Sequence, residues 1–296
     1  MAESKLLKAG YIAFIGRPNV GKSTLFNALL KQKTAIVTPK PQTTRNRILG
    51  IMNGDDYQII CLDTPGLIEP SNPLQKSLLK TSLKTIYDAD LVFAIISAEE
   101  QNRYDSMVFD YIQKERTPSL LIINKIDLVK KEVLLPLMDK MYKLQIFDEI
   151  VPISALRQEG IEELISIAKE KLPPGHPFYP PDIISSEPER FFVSEIIREQ
   201  IFMQFTDEIP YATAVSISQF KERPGKKDLI SAVITVERDS QKRIIIGKNG
   251  KSIKKLGMKA REEIEKFLDR PVFLELFIQV RKGWRKNPVK LKELGY

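Results

Sequence analysis

Short apolar runs alternate with amphipathic segments through the first 172 residues. The apolar runs have the length of buried strands, and the segments between them repeat apolar positions at the three- and four-residue spacing of helices. Strands that alternate with helices indicate an α/β fold whose mostly parallel sheet is wound on both faces. The predicted strands are Tyr11–Ile15, Ile48–Asn53, Tyr57–Leu62, Leu91–Ser97, Ser119–Ile123 and Ile150–Ile153.

The second half of the chain has a different order of patterns. Residues 171–181 hold five prolines, a density that excludes a regular helix or strand. We therefore predict a first domain over residues 1–172, a stiff linker over 173–181 and an α+β second domain with a basic tail over 182–296. The second domain is predicted to contain a helix, two strands, a glycine turn, a helix and a strand, at Ser194–Phe205, Ala212–Phe220, Asp228–Glu237, Gly247–Gly250, Lys251–Leu268 and Val272–Val280.

The distribution of charge adds a class of partner. The net charge is +8, and residues 242–261 and 281–292 carry eight and six basic residues without an acid. Such blocks indicate either a polyanion, with nucleic acid favoured over membrane, or a basic face that only serves solubility. The chain has a single cysteine, no apolar core in Met1–Lys8 and no apolar run of about 18 residues. These features predict a cytoplasmic protein without signal peptide or membrane span.

A phosphate-binding loop connects the first predicted strand to the following helix. The sequence GRPNVGKS has the pattern G-x-x-x-x-G-K-[ST] in the strand–loop–helix context that the pattern requires. Such a loop turns backbone N–H groups towards phosphate at a helix N-terminus. We expect the lysine to neutralise the β- and γ-phosphates and the serine to bind Mg²⁺. The predicted nucleotide contacts are Gly16, Arg17, Pro18, Asn19, Val20, Gly21, Lys22, Ser23 and Thr24.

Three further motifs follow later predicted strands, where an open α/β sheet binds its ligand. In the first, Asp63 would hold Mg²⁺ through water and Gly66 would donate a backbone N–H to the γ-phosphate. In the second, the Asp127 carboxylate can accept hydrogen bonds from N1–H and N2–H₂ of guanine, a donor pair that adenine lacks. Asn124 and Lys125 of this second motif are expected to support the loop and cover the base. The third motif, Ser154 and Ala155, is expected to close over the other edge of the base.

Together these motifs resemble the GTPases of the translation-factor class over about residues 10–172. The resemblance implies a six-stranded domain with Mg²⁺–GTP or GDP at the carboxyl ends of the strands. It also implies switch loops around Thr34–Arg47 and Asp63–Tyr87 that the γ-phosphate orders. One threonine of the first switch should complete the Mg²⁺ shell of Ser23 and Asp63, with Thr44 favoured and Thr43 as the alternative.

Leu67 follows Gly66, where small signalling GTPases have a glutamine that orients water. The resemblance is then to GTPases in which a phosphate-loop asparagine, here Asn19, helps to hold K⁺. We predict slow hydrolysis, on the order of 10⁻⁴ to 10⁻² s⁻¹, that is faster in K⁺ than in Na⁺. The alternative is that Asn19 only shapes the loop. The residues expected to act in catalysis are Lys22, Asn19, Thr44 and Gly66.

The glycine turn of the second half resembles the G-x-x-G loop of KH domains. Residues 244–246 are predicted to end a short helix before the turn, and the resulting order, helix-strand-strand-helix-helix-strand, resembles the type II variant of these domains. KH domains clamp about four nucleotides of single-stranded RNA. Phe273 and Phe277 are predicted to face the core. Trp284 is either a base-stacking residue or an anchor for the tail. The predicted RNA contacts are Gly247, Lys248, Asn249, Gly250, Lys251, Lys254, Lys255, Trp284 and Arg285.

The order of a GTPase domain, a Pro-rich segment and a C-terminal KH domain resembles that of the bacterial Era family. Residues Pro41–Arg45 also resemble the first switch of that family. The resemblance implies a monomer that binds near the 3′ end of 16S ribosomal RNA and acts in assembly of the small (30S) subunit. The alternative is a membrane-peripheral or cell-cycle signalling GTPase whose basic C-terminus binds lipid or protein. Weak contact with the inner membrane remains open in both cases.

Overall fold

The computed structural model describes residues 7–100, 106–115 and 117–296, so most of Met1–Lys8 lies outside the described residues. The chain forms two compact units. The first contains the described residues up to Ser186, except segments 36–43 and 71–76. The second contains these two segments and residues 187–296. Within the described ranges, no helix combines the length and the apolar character needed to cross a lipid bilayer.

The first unit is built on the predicted doubly wound sheet. The strands lie in the order β2-β3-β1-β4-β5-β6, and all neighbours are parallel except the β2–β3 hairpin. All seven residues of β4 are buried, as expected for a central strand with helices on both faces. The strands are β1 Leu7–Gly16, β2 Ile48–Asn53, β3 Tyr57–Asp63, β4 Leu91–Ser97, β5 Ser119–Asn124 and β6 Glu149–Pro152.

Five helices follow the strands in the described part of this half. α3 and α4 pack with β4 and β5 in a core that includes Val108, Ile112, Leu121 and Met141. This arrangement fixes the loops at the carboxyl ends of the strands, where the nucleotide motifs lie. The helices are α1 Lys22–Leu30, α2 Pro73–Tyr87, α3 Ser106–Glu115, α4 Lys131–Tyr142 and α5 Ile161–Lys171.

The Pro-rich segment is part of the first unit, whereas the sequence predicted a linker over 173–181. Its residues Pro174–Gly175 form β7, antiparallel to β1. The buried Gln58 side chain then accepts hydrogen bonds from the backbone N–H of Phe178 and of Tyr179 and donates one to the Tyr179 carbonyl. The boundary between the units therefore lies after Ser186 rather than after residue 181.

The second unit confirms the predicted helix-strand-strand-helix-helix-strand order. Its sheet has the order β10-β9-β8, with β10 parallel and β8 antiparallel to β9. Apolar side chains of α6, α9 and the sheet form one core, with Ile197, Ile234 and Leu256 fully buried. The elements are α6 Glu189–Gln204, α7 Ile209–Ala212, β8 Ala214–Lys221, β9 Asp228–Val236, α8 Asp239–Ile246, α9 Lys251–Leu268, β10 Val272–Val280 and α10 Pro288–Glu293.

Candidate nucleotide and RNA sites

The phosphate loop lies between β1 and α1, as predicted. Gly21 adopts φ 96°, and a Cβ at this position would lie 2.1 Å from the Asn124 side-chain nitrogen, so only glycine fits. α1 begins at Lys22, whose Nζ donates to the carbonyl oxygens of Gly16 (3.1 Å) and Arg17 (2.9 Å). Thr24 lies in the first turn of this helix. The free N–H groups of that turn make the loop suitable for an anion.

The electrostatics of the loop favour a bound anion. Lys22 is buried, and desolvation lowers the pKa of its ammonium to about 8 although the charge of Asp63 opposes the shift. Burial likewise raises the pKa of Asp63 to about 6, against the opposing effects of Lys22 and of hydrogen bonds from Ser23 and Thr44. For both groups desolvation outweighs their mutual attraction, and a phosphate beside Lys22 and a cation beside Asp63 would stabilise the charged form of each.

The three predicted Mg²⁺ ligands converge. Ser23 Oγ lies 2.7 Å from Asp63 Oδ2 and 2.9 Å from Thr44 Oγ1, and Thr44 Oγ1 lies 3.3 Å from Asp63 Oδ2. The favoured threonine of the first switch, Thr44, is thus the one that contacts both Ser23 and Asp63. The second carboxylate oxygen, Asp63 Oδ1, is buried without a hydrogen-bond partner among the described residues. Hard oxygen donors with a spare buried acceptor fit Mg²⁺, which prefers oxygen ligands and retains water.

Asn124 joins the loops of the predicted base site. Its Nδ2 donates to the Val20 carbonyl (2.9 Å), and its Oδ1 accepts from the backbone N–H of Lys125 (2.8 Å) and of Ala155 (3.0 Å). Ser154 Oγ donates to Asp127 Oδ1 at 2.6 Å. The structure thus brings the asparagine, the aspartate and the serine–alanine pair together with the phosphate loop.

Two charged residues of the base site were missed by the sequence reasoning. Arg157 places Nε 3.6 Å from Asp127 Oδ2, and Glu99 places Oε2 3.1 Å from Lys125 Nζ. The Asp127 side chain is only 5% exposed, whereas that of Arg157 is 62% exposed. No motif includes either residue, and the only available signal was proximity in sequence to Ser154 and to the end of β4.

The switch residues also lie where the motifs predict. Gly66 approaches the phosphate loop so closely that a Cβ would lie 2.7 Å from the Pro18 nitrogen. Leu67 is buried in the core of the first unit and is therefore unable to orient water. Asn19 adopts φ 65°, a left-handed conformation that asparagine tolerates better than most residues, so it does shape the loop.

The glycine turn of the second unit connects α8 to α9. Gly247 has φ 71°, and a Cβ there would lie 2.5 Å from the Ser252 Cβ. Asn249 adopts the left-handed φ 53°. Exposed side chains surround the turn and the first two turns of α9, as required of RNA contacts: Lys248, Asn249, Lys251, Lys254 and Lys255.

A groove of about 360 Å³, named here the α9–β10 groove, lies between α9 and β10. Phe273 and Phe277 are 51% and 53% exposed, so the prediction that they face the core is wrong. Alternation along β10 turns Leu274 and Leu276 towards the helices instead. The groove is lined from α9 by Ile253, Lys254, Gly257, Met258 and Arg261, and from β10 by Phe273, Leu274 and Leu276.

Of the two alternatives for Trp284, the structure shows the tail anchor, and its burial leaves no face for stacking on a base. Its side chain is fully buried, its Nε1 donates to the Ala212 carbonyl (3.2 Å), and its ring stacks on Tyr296 at 5.9 Å. Arg285 pairs with Glu237, its Nε 2.9 Å from the carboxylate. The charge of this predicted RNA contact is therefore compensated within the unit.

Comparison with known proteins agrees with this geometry. The family described as 50S ribosome-binding GTPase matches residues 11–125, and the KH domain family matches residues 208–285. GTPase Era of Syntrophus aciditrophicus is 47% identical over 99% of this chain and 96% of its own length. GTPase Era of Geotalea uraniireducens is 45% identical over 99% of both chains.

Two solved structures are similar over 98% of this chain and 99% of their own. An Aquifex aeolicus Era variant bound to GDP and AlF₄⁻ has a TM-score of 0.94 at 40% identity. An Era complex with MgGDPNP and nucleotides 1506–1542 of 16S ribosomal RNA has a TM-score of 0.94 at 39% identity. With full-length relatives above 40% identity, a GTPase domain and a KH domain, this chain belongs to the Era family of GTPases.

Proposed function

We propose that this GTPase is a nucleotide-dependent switch that binds the 3′ end of 16S ribosomal RNA through its second unit and acts in small-subunit assembly. The observation that carries the proposal is the Gly247–Gly250 turn, which leads into α9 among exposed lysines, with the α9–β10 groove lined from the same helix. Glycines permit close approach of sugar-phosphate, and the lysines supply the charge. The Era structure with nucleotides 1506–1542 supports this choice of RNA.

The first unit would bind GTP or GDP with Mg²⁺. Ser23, Thr44 and Asp63 would hold the ion, which supplies charge neutralisation at the terminal phosphates. Lys22 would exchange its loop carbonyls for phosphate oxygens, and Asp127 would pair with guanine. Phosphoryl transfer depends mainly on positioning and charge stabilisation, so these residues suffice without a dedicated general base.

Hydrolysis would be slow because Leu67 leaves water unoriented. K⁺ held with the help of Asn19 would supply part of the missing positive charge, so hydrolysis is expected to be faster in KCl than in NaCl. Asn19→Ala should remove most of this difference. A wild-type rate that is equal in both salts, or a K⁺ effect that survives in Asn19→Ala, would contradict the role of Asn19.

The switch function requires that GTP and GDP differ in their effect on RNA affinity. A ligand shifts a conformational equilibrium only through differential affinity for its states, so the GTP form is expected to bind RNA more tightly than the GDP form. We expect the active species to be a cytoplasmic monomer. Indistinguishable RNA affinities in the two nucleotide states would overturn the switch while leaving the GTPase intact.

Co-sedimentation with small ribosomal subunits tests the function directly. Wild-type protein should sediment with the subunits in a non-hydrolysable GTP analogue and be released in GDP. The double variant Lys248→Asp/Asn249→Asp should not sediment in either state. The matched control is Gln113→Asp/Lys114→Asp, which makes the same change in charge at two adjacent exposed positions of α3, outside both predicted switches, and should behave like wild type.

The alternative lipid-binding function gives a different result. Attraction to anionic lipid changes by about 1 kcal/mol per lysine removed and does not require a glycine turn. Binding to phosphatidylserine vesicles, with no binding to subunits in either state, would therefore favour that alternative.

A further inference from the structure

Gly257 forms part of the wall of the α9–β10 groove from inside a helix. α9 has 18 residues, and Gly257 is the seventh. Glycine is among the least favourable residues in a helix interior because it has the most backbone freedom to lose. Its presence in the middle of α9 therefore requires a reason.

Neither the backbone nor the packing supplies that reason. Gly257 lies within the regular helix, outside the positive-φ positions at which glycine is preferred. A Cβ built at Gly257 would meet a single atom within 4 Å, Leu276 Cδ1 at 3.5 Å, which is ordinary van der Waals contact. Alanine would fit, so what glycine provides is the open space above it.

That space has the character of a nucleobase site. Its walls are apolar or aromatic, from residues such as Met258, Phe273 and Leu276, and no carboxylate of the described residues lines it. Lys254 and Arg261 lie three residues before and four residues after Gly257, and therefore on the same face of α9. Apolar walls between two cations fit a flat base with its phosphates on either side.

We propose that Gly257 is a specificity-determining residue that admits a base of single-stranded RNA into the α9–β10 groove. The base lies over the bare helix backbone and Leu276, while the neighbouring phosphates meet Lys254 and Arg261. A side chain at position 257 fills the space of the base and leaves the charges in place. The inference rests on the proposed function, because it assumes that RNA occupies this groove.

Gly257→Ala and Gly257→Leu test the proposal. Alanine should stabilise the second unit and yet weaken RNA binding, and leucine should weaken RNA binding further. Gly257→Ala should raise the melting temperature of the second unit by about 2 to 6 °C, because alanine is the better helix former. Trp284 reports this transition, because it is the single tryptophan and is buried in that unit. Fluorescence anisotropy with an RNA corresponding to nucleotides 1506–1542 should show binding weakened about 5-fold by alanine and about 100-fold by leucine.

Heparin and a control variant separate loss of the base site from other causes. Heparin carries negative charge without bases, so its affinity should stay within about twofold of wild type in both Gly257 variants. Ser240→Leu, which adds a leucine at an exposed position of α8 outside the groove lining, should bind RNA like wild type.

The outcomes distinguish this inference from the proposed function. If wild type fails to bind the RNA, both are overturned. If wild type binds, Lys248→Asp/Asn249→Asp does not, and both Gly257 variants bind like wild type, the proposed function stands and the role of Gly257 is overturned. Equal losses for RNA and heparin in Gly257→Ala would also overturn it, because they would show a general change in the unit.

Discussion

Gln58 attaches the Pro-rich segment to the first unit, and its removal should release that segment. The side chain is 1% exposed. Its Oε1 accepts from the backbone N–H of Phe178 at 2.6 Å and of Tyr179 at 3.0 Å, and its Nε2 donates to the Tyr179 carbonyl at 2.8 Å. Gln58→Ala removes these three hydrogen bonds to the segment and a fourth, which Nε2 donates to Asn53 Oδ1 at 2.8 Å within the β2–β3 hairpin. The backbone groups of Phe178 and Tyr179 then lack their Gln58 partners.

The expected magnitude follows from these three bonds. A typical intramolecular hydrogen bond contributes about 1 kcal/mol net, so the free energy that holds the segment closed should fall by about 3 kcal/mol. Since about 1.4 kcal/mol changes an equilibrium constant tenfold, the open population should rise about 100-fold. The variant removes no side chain from the buried cluster of Leu49, Ile51, Ile60 and Leu62, against which the Tyr179 ring packs, so the segment should open locally without unfolding the unit.

Limited chymotrypsin digestion measures this opening. Cleavage after Phe178 yields pieces of 178 and 118 residues, and when opening is fast relative to cleavage its rate follows the open population. Asn53→Ala is the comparison variant, because it removes one hydrogen bond to the same segment, at the Pro181 carbonyl (3.0 Å), and also the bond that Asn53 Oδ1 accepts from Gln58 Nε2 (2.8 Å). It leaves the three bonds from Gln58 to the segment in place and should accelerate cleavage less than about fivefold. A Gln58→Ala rate within threefold of wild type would refute the reasoning, as would equal acceleration at sites throughout the chain.

Three further predictions concern the two binding sites and the buried thiol. Asp127→Ala should weaken GDP binding about 10²- to 10⁴-fold, through loss of two hydrogen bonds to a carboxylate, in a fluorescent-GDP titration; an unchanged affinity would contradict the base site. Burial, with the charge of Asp63 adding, raises the pKa of Cys61 to about 12, so at pH 8 a disulfide reagent should modify it only after unfolding; rapid reaction of native protein would show that the thiol is accessible. If Lys248, Lys251, Lys254 and Lys255 neutralise four phosphates, RNA affinity should fall about 50-fold between 50 and 200 mM salt, and a salt-independent affinity would exclude these contacts.

The sequence was most informative where one local pattern decides the structure. The bounds of α9 and β10, Lys251–Leu268 and Val272–Val280, are those that the apolar spacing predicts. The phosphate loop and the later motifs also form one site, because the carboxyl ends of parallel strands meet at the same edge of a sheet.

Prediction failed where a distant partner decides the structure. The Pro-rich segment docks because of Gln58, about 120 residues earlier in the chain, and Trp284 is buried by Tyr296 and Ala212. For Phe273, alternation defined two faces of β10 without indicating which one meets the helices. Hydrophobic character alone favoured the wrong face, because Leu274 and Leu276 compete for the same core.

The two candidate sites share one local structure, a glycine turn before a helix, but they differ in the burial of their lysine side chains. In each, a glycine turn leads into a helix N-terminus, at Gly21 before α1 and at Gly247–Gly250 before α9. Lys22 is buried and hydrogen-bonded within its own loop, so it suits one anion of fixed size and position, with little screening by salt. The lysines around α9 are exposed and suit any chain of phosphates. Charge alone would therefore not select one RNA sequence over another. On the proposed function, selectivity would come from the apolar side chains of the α9–β10 groove, where we propose that Gly257 leaves room for a base.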